Sequence, residues 1–144
     1  MNNFLKITAD LDDDGTVGLT GAVSNDGFSG IGEAWFNVSD VRLFISKLEH
    51  FAKTTENPPE LSGGNWDGNG NLIHTLFSLR FYSFSSYRAG VQVQLANHPY
   101  TDCRAEEISQ VILELKPETQ AILNFCKQLN ALLVDNINEA YLAC

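Results

Sequence analysis

The densest group of chemically active side chains in this 144-residue chain is a run of three aspartates: Asp12, Asp13 and Asp14. Together with Asp10, the run matches the first positions of a calcium-binding EF-hand loop, but Gly21 stands where that loop requires a bidentate glutamate. Residues 65–70 repeat the partial match with the same deficiency. Aspartate, asparagine and glycine are also the residues that tight turns between strands prefer. The spacing therefore favours two hairpin turns, with a weak calcium contact as the alternative, and no metal site is predicted.

A second candidate feature is a crowded set of aromatic residues between Arg80 and Arg88: Phe81, Tyr82, Phe84 and Tyr87. Strand alternation cannot hide all four on one face, so some must reach the surface. Tyrosine and arginine often anchor protein partners, because they add a large contact area at a small entropic cost. Tyr82, Phe84 and Tyr87 are therefore candidate partner contacts. The alternative is a phenylalanine-rich core with two tyrosines whose hydroxyl groups reach solvent.

Enzymatic chemistry has little support in the sequence. The chain contains no G-x-S-x-G elbow, no P-loop, no H-E-x-x-H and no G-x-G-x-x-G pattern. Its three histidines are isolated from one another in sequence: His50, His74 and His98. A catalytic histidine needs partners that only the fold can bring to it. We expect a protein without catalytic residues or cofactor; an enzyme would require His74 or His98 to approach carboxylates in a cleft.

Charge indicates the class of partner. The chain has 18 acidic and 9 basic side chains, a net charge of −9. A nucleic-acid binder needs a clustered basic surface to displace counterions from phosphates, so nucleic acid is not expected. An acidic surface suits a basic protein partner, because complementary fields raise association rates. Asp12–Asp14 is then a candidate contact, although excess carboxylates can also serve solubility alone.

The expected location is the cytoplasm. No segment approaches the ~20 consecutive apolar residues of a membrane span. The aspartates that follow the first strand are unlike the end of a signal peptide. The three cysteines, Cys103, Cys126 and Cys144, have no zinc-binding or redox spacing and fit reduced thiols. The composition, with 44% hydrophobic residues, is typical of a globular protein, and a single domain over residues 1–144 is expected.

Two amphipathic segments are predicted to form the helices of the fold that positions these candidate residues. Helices are predicted at residues 39–54 and 117–134, with Asn37 or Ser39 as the first N-cap and Pro117 as the first helical residue of the second. Their apolar stripes follow the same three, four, three steps: Val41, Phe44, Leu48 and Phe51, then Ile122, Phe125, Leu129 and Leu132. Both stripes are expected to face one sheet.

The rest of the chain alternates as strands do. Strands are predicted at residues 4–11, 16–25, 60–66, 72–84, 87–98 and 102–115, with one more that follows the turn at 25–27 and ends near Phe36. The core set of the long fifth strand is expected to be Ile73, Phe77, Leu79 and Phe81. An odd step near residues 109–110 indicates a β-bulge, and residues 135–144 are expected to form a short helical turn or a loose tail. The prediction is an α+β fold: one antiparallel sheet of about six to seven strands with both helices on one face.

The order of these segments resembles a known family. The resemblance runs through Gly30-Ile31-Gly32-Glu33-Ala34-Trp35-Phe36, Asp40-Val41-Arg42-Leu43-Phe44, the Gly-Trp hairpin at 63–70, Gly90-Val91-Gln92-Val93, and Leu115-Lys116-Pro117-Glu118 ahead of Phe125 and Leu129. Over residues 28–133 the chain resembles the immunity proteins of bacterial wall-associated polymorphic toxins. The resemblance implies a small cytoplasmic α+β protein that binds and neutralises a cognate toxin without a cofactor or an active site.

The first functional hypothesis is therefore a non-enzymatic immunity protein that uses its acidic loops and the hairpin around Tyr82–Tyr87 to meet a basic toxin domain. The alternative is a small-ligand or regulatory module with a pocket between sheet and helices. A cavity lined by Trp35, Phe77 and Phe125 would favour that alternative. The sequence predicts no oligomeric state.

Overall fold

The computed structural model describes residues 2–144 and has an α+β fold. The elements follow one another as β1 (Phe4–Leu11), β2 (Thr16–Asn25), β3 (Phe28–Asn37), α1 (Val38–Thr54), β4 (Glu60–Trp66), β5 (Leu72–Ser83), β6 (Ala89–Asn97), a short 3-10 helix (Ala105–Glu107), β7 (Ser109–Leu115), α2 (Thr119–Leu133) and β8 (Ala140–Ala143). The predicted α+β class is confirmed, and the ends of both helices lie within two residues of their predicted positions.

The strands form two antiparallel sheets, not the single sheet that the sequence predicts. Sheet A has the order β3-β2-β1-β8, and sheet B has the order β4-β5-β6-β7. Alternation within a strand shows which residues face the core but not which strand lies beside it, so it could not reveal the break at α1. The predicted helical turn near the C-terminus is also wrong, because residues 140–143 pair with β1 as an eighth strand.

The sheets pack face to face with their strands nearly perpendicular. One row of paired residues crosses all four strands of sheet B: Gly63, Phe77, Leu95 and Val111. This row lies along β3, because Phe36 contacts its first two members and Gly30 contacts its last. The row runs perpendicular to the strands of sheet B and parallel to β3. The strands of sheet B therefore cross β3 at nearly a right angle, as in an orthogonal sandwich. Glycine makes the approach possible: a Cβ on Gly32 would lie 3.0 Å from Leu95 Cβ.

The helices pack against each other and complete the same core. All eight residues of the two predicted apolar stripes are buried. The ring centroid of Phe44 in α1 lies 6.1 Å from that of Phe81 in β5, so α1 reaches sheet B, while α2 packs on β8 and β1 of sheet A. The prediction that both helices lie on one face of a single sheet is therefore wrong. The helix α2 begins two residues later than predicted, because the Pro117 carbonyl accepts a hydrogen bond from Ala89 N–H.

Two β-bulge assignments change. The register along β7 is regular, so the bulge predicted near residues 109–110 is wrong. The irregularities lie between β4 and β5, where the pairing skips Leu76 and then Ile73. An extra residue reverses the alternation beyond it. Ile73 is consequently exposed instead of buried, whereas Phe77, Leu79 and Phe81 are buried as predicted. Residues 98–108 precede β7 as loop and 3-10 helix, not as the beginning of that strand.

Candidate protein-binding site

The three aspartates form the β1–β2 turn, as the sequence predicts. Gly15 ends the turn with φ +85°, and its carbonyl accepts a hydrogen bond from Val38 N–H, which ties the turn to the beginning of α1. Asp14 accepts hydrogen bonds from the hydroxyl and the backbone N–H of Thr16. These two bonds hold the pKa of Asp14 below its ordinary value. These hydrogen bonds hold the turn together and favour the ionised form of the Asp14 carboxyl group.

No cation within the described chain neutralises this turn. The ion pairs of residues 2–144 include none of Asp12, Asp13, Asp14 and Asp40. The part of the chain up to Asp40 holds seven acidic residues and one lysine, Lys6. That lysine already lies 3.9 Å from Glu139. No described basic side chain therefore compensates the negative charge around the turn.

A groove of about 370 Å³ lies beside the turn. Two tryptophans border it, Trp35 from β3 and Trp66 from the end of β4, with 49% and 52% of their surfaces exposed. The ring of Trp35 covers its strand partner Gly18, where a Cβ would lie 3.0 Å from the ring. Asp40, in the first turn of α1, accepts a hydrogen bond of 3.3 Å from Asn37 Nδ2.

We call the set Asp12, Asp13, Asp14, Asp40, Trp35 and Trp66 the acidic groove. Carboxylates beside indole rings suit a lysine or arginine side chain, which can pair with the former and lie over the latter. The sequence pointed to the three turn aspartates but not to Trp66 or to the role of Asp40. A usable signal was present for Trp35, since it alternates between the inward residues Ala34 and Phe36.

The β5–β6 hairpin exposes part of its aromatic cluster. Phe81 is buried, whereas Phe84 is half exposed and Tyr87 is 67% exposed, which confirms that some of these rings reach the surface. Tyr82 lies over its strand partner Gly90, and its hydroxyl donates a hydrogen bond to the Glu114 carboxylate. Burial and this bond raise the pKa of Tyr82 to about 12. We call Tyr82, Phe84 and Tyr87 the aromatic hairpin.

The basic residues near the aromatic hairpin already have partners. Arg88 donates to the Lys116 carbonyl at 2.6 Å and pairs with Glu118 at 3.5 Å. Arg80 donates to Gln92 at 3.0 Å and lies over the ring of Tyr82. Lys116 lies over Phe84. The charges of this region are thus used within the protein.

The two predicted contact regions are not adjacent. The acidic turn precedes β2, whereas Asn25 at the other end of β2 donates to the backbone oxygen of Glu114, the residue that binds Tyr82. A ten-residue strand spans roughly 30 Å, so the two regions lie on the order of 20 Å or more apart. Only a macromolecular partner could touch both.

Among residues 2–144, no histidine forms an ion pair with a carboxylate. His74 and His98 stack with ring centroids 4.1 Å apart. Asn65 Nδ2 lies 3.2 Å from His74 Nδ1, and Cys103 Sγ lies 3.8 Å from His98 Nδ1. Burial and the neighbouring His74 lower the pKa of His98. Within residues 2–144 no group of three or more His, Cys, Asp or Glu side chains is placed to hold a metal ion.

The cavity proposed for a ligand-binding module is not formed by the expected residues. Phe77 and Phe125 are fully buried in the core, and Trp35 lies on the outer face of sheet A. A separate open groove of about 730 Å³ lies between α1 and the loop before β4, where Lys47, His50 and Glu60 contribute to its lining.

Comparison with protein-family models, curated proteins and solved structures gave no significant match for this chain. Among the described residues, neither helix combines the length and the apolar character needed to cross a membrane. The fold and the site together define an acidic α+β protein of two crossed sheets, with an uncompensated acidic groove at the beginning of its first helix.

Proposed function

We propose that this protein is a non-enzymatic immunity protein that neutralises a cognate bacterial toxin by binding a basic surface of the toxin domain. The proposal joins the family resemblance over residues 28–133 to the chemistry of the acidic groove. It requires a complementary surface and no active site. A cytoplasmic location, where such a toxin would act or be made, belongs to the same proposal.

The observation that carries the proposal is the unpaired acidic charge of the N-terminal region. Asp40 and two half-exposed tryptophans line the groove, and the turn that carries the three aspartates adjoins it at Thr16. No described lysine or arginine pairs with these four carboxylates. Clustered like charges repel one another, whereas they accelerate encounter with a partner of opposite charge. Exposed tryptophan supplies the desolvated anchor that such a contact needs.

The test begins with the partner. A large secreted protein with a variable C-terminal domain, encoded immediately upstream, would supply the toxin domain, and stopped-flow measurements with that domain would give the association rate. We expect the triple variant Asp12→Asn, Asp13→Asn, Asp14→Asn to associate roughly tenfold more slowly, with a flatter dependence on salt, because steering is lost.

The matched control removes the same charge elsewhere. Glu56→Gln, Asp102→Asn and Asp135→Asn are exposed and distant in sequence from the groove. This triple variant should change the association rate less than twofold, as expected for dispersed surface charges. Equal slowing by both triple variants would show that net charge, and not the groove, steers the toxin domain. Association unaffected by either would remove the role of the acidic turn.

A small-ligand or regulatory module remains the second candidate, and the open groove at His50 is the observation that favours it. A bound metabolite would stabilise the folded protein by an amount that rises with the logarithm of its concentration above Kd. Thermal unfolding across a metabolite panel, with His50→Ala as the control, should show stabilisation only in the wild type if this function holds.

A further inference from the structure

The four sheet edges are protected to different degrees. The edge strand β8 has four residues, and β4 has seven with two irregularities in its pairing. Along β7, also of seven residues, Asn25 Nδ2 donates to the Glu114 carbonyl. The edge strand β3 has ten residues, a regular register, and neither lysine nor proline. Short length, irregular pairing, lysine and proline are the features that normally block pairing with another chain. The edge of β3 has none of them.

The turn before β3 shows which backbone groups face outwards. Asp26 and Gly27 have φ of +51° and +92°, the type I′ geometry of a two-residue hairpin. Asn25 and Phe28 then form a hydrogen-bonded pair, and such pairs recur at every second residue of β3. The N–H and C=O groups of Ile31, Glu33 and Trp35 consequently point away from β2. In the described chain these groups have no backbone partner on that side.

A cleft follows this edge. Three grooves of about 370, 420 and 160 Å³ succeed one another from Asn37 to Ser29. Sheet B forms the opposite wall, through Trp66, Asn97 and Gln110 in turn. The nine residues of β3 along the cleft span roughly 26 Å from first to last Cα, which is long enough for an added strand of about eight residues. Ile31, in the middle, is 72% exposed.

The charge of the cleft indicates what it binds. Glu33 and Asp40 are the charged residues that line the three grooves, and neither lysine nor arginine of the described chain lines them. We propose that the free edge of β3 binds an extended, basic peptide segment of a protein partner, which adds to sheet A as a fifth strand. This inference rests on the proposed function only for the identity of the protein that supplies the segment.

The mode of binding defines the sequence of the segment. Backbone N–H and C=O groups at Ile31, Glu33 and Trp35 pair with the added strand, and alternate side chains give specificity. Residues on the outer face lie beside Glu33 and are lysine or arginine. Residues on the inner face meet Leu76 and Ala96 of sheet B and are small and apolar.

The experiment uses a capped octapeptide of alternating lysine and valine, and a second octapeptide with glutamate in place of lysine. Amide hydrogen exchange of the labelled protein is followed by NMR. We expect the Ile31, Glu33 and Trp35 amides to exchange fast in the free protein and about tenfold more slowly with the lysine peptide, as amides do on entering a ladder. The amide of Ala34, which faces β2, should not change. Absence of slowing, or equal slowing by the glutamate peptide, would overturn the proposal.

Two variants sharpen the test. Glu33→Lys should weaken binding of the lysine peptide roughly fivefold, whereas the matched reversal Glu56→Lys, outside the cleft, should not. Ile31→Pro removes an outward N–H without removing a bond to β2, so it should fold and fail to bind. If Ile31→Pro does not fold, the exchange result on the wild type decides alone.

A second copy of the chain is the competing occupant. Sedimentation equilibrium should show a monomer; a dimer whose Ile31 and Glu33 amides are protected without peptide would overturn the proposal. Failure of peptide binding at β3 can be distinguished from failure of the proposed immunity function. Peptide binding at β3 together with a toxin domain that does not bind would leave the edge site and remove the immunity role, and the reverse result would remove only the edge site.

Discussion

The acidic groove and the aromatic hairpin share one structural feature but differ in whether their charged side chains are paired. In each, an aromatic ring lies over a glycine on the neighbouring strand: Trp35 over Gly18, and Tyr82 over Gly90. Around Tyr82 the charged groups are paired within the protein, whereas around Trp35 the carboxylates have no described cation. Aromatic exposure alone therefore does not distinguish a binding surface. The uncompensated charge beside the ring is what favours the acidic groove.

The largest expected effect concerns the core that carries both surfaces. Phe44→Ala and Phe125→Ala should each lower the free energy of unfolding by ~3–5 kcal/mol, because each removes a buried aromatic ring. Lys127→Ala, on an exposed side chain, should stay within about 0.5 kcal/mol. Urea denaturation measures all three. If Phe125→Ala unfolds like the wild type while Lys127→Ala is strongly destabilised, the assigned helical phase is wrong.

The two glycines should respond unequally to alanine. A Cβ at Gly90 would lie 2.3 Å from the Tyr82 ring, so Gly90→Ala must displace that ring and its bond to Glu114. We expect a loss of about 1–3 kcal/mol, as in overpacked sites. At Gly18 the contact would be 3.0 Å from the half-exposed Trp35, which can shift outwards, so the loss should stay below about 1 kcal/mol. Urea melts compare the two. Equal losses in the free energy of unfolding would show that the rings of Tyr82 and Trp35 resist displacement equally.

The hydroxyl of Tyr82 tests the paired character of the aromatic hairpin. Its pKa is raised from 10.0 to about 12. Because folding favours the protonated form, this contribution to stability is present below pH 10 and is lost as the pH rises towards 12. Tyr82→Phe should cost about 1 kcal/mol at neutral pH. An ultraviolet titration should show a late-titrating tyrosine in the wild type that is missing in Tyr82→Phe; identical titrations would contradict the bond to Glu114.

The smallest effect is expected at Asp14. Its pKa lies below 3.8 because Thr16 donates two hydrogen bonds to its carboxylate. The stabilising contribution is present above pH 3.8 and is lost as the pH falls through the lowered pKa. Carboxyl NMR titration should find that Thr16→Val moves the pKa of Asp14 back towards its ordinary value. No movement would show that Thr16 does not organise the turn.

The sequence predicts local structure here better than it predicts arrangement. The helical stripes, the hairpin turns and the inward residues Phe77, Leu79 and Phe81 follow from periodicity and turn chemistry, which are local. The break between sheets A and B depends on pairing between distant strands, and β8 is too short to show a pattern. Ile73 was misassigned because a bulge at Leu76 reverses the alternation without any mark in the sequence.

The candidate site likewise has a part that the sequence predicts and a part that depends on the fold. The acidic turn is visible as three consecutive aspartates, and the surface aromatics are visible as an excess that one face cannot hide. The groove is not visible, because Trp66 and Asp40 reach it from β4 and α1, elements that the sequence does not place beside β3. The lack of cations near the turn likewise depends on where every lysine and arginine lies in the fold.

Hydrogen exchange of the protein in complex with the toxin domain tests the central claim most directly, because it reports every covered segment at once. If the acidic groove faces the partner, exchange should slow at residues 12–16, 35–40 and 62–66 and stay unchanged at residues 82–88. Slowing confined to residues 82–88, with the β1–β2 turn and the beginning of α1 unaffected, would contradict the account and give the partner-binding role to the aromatic hairpin.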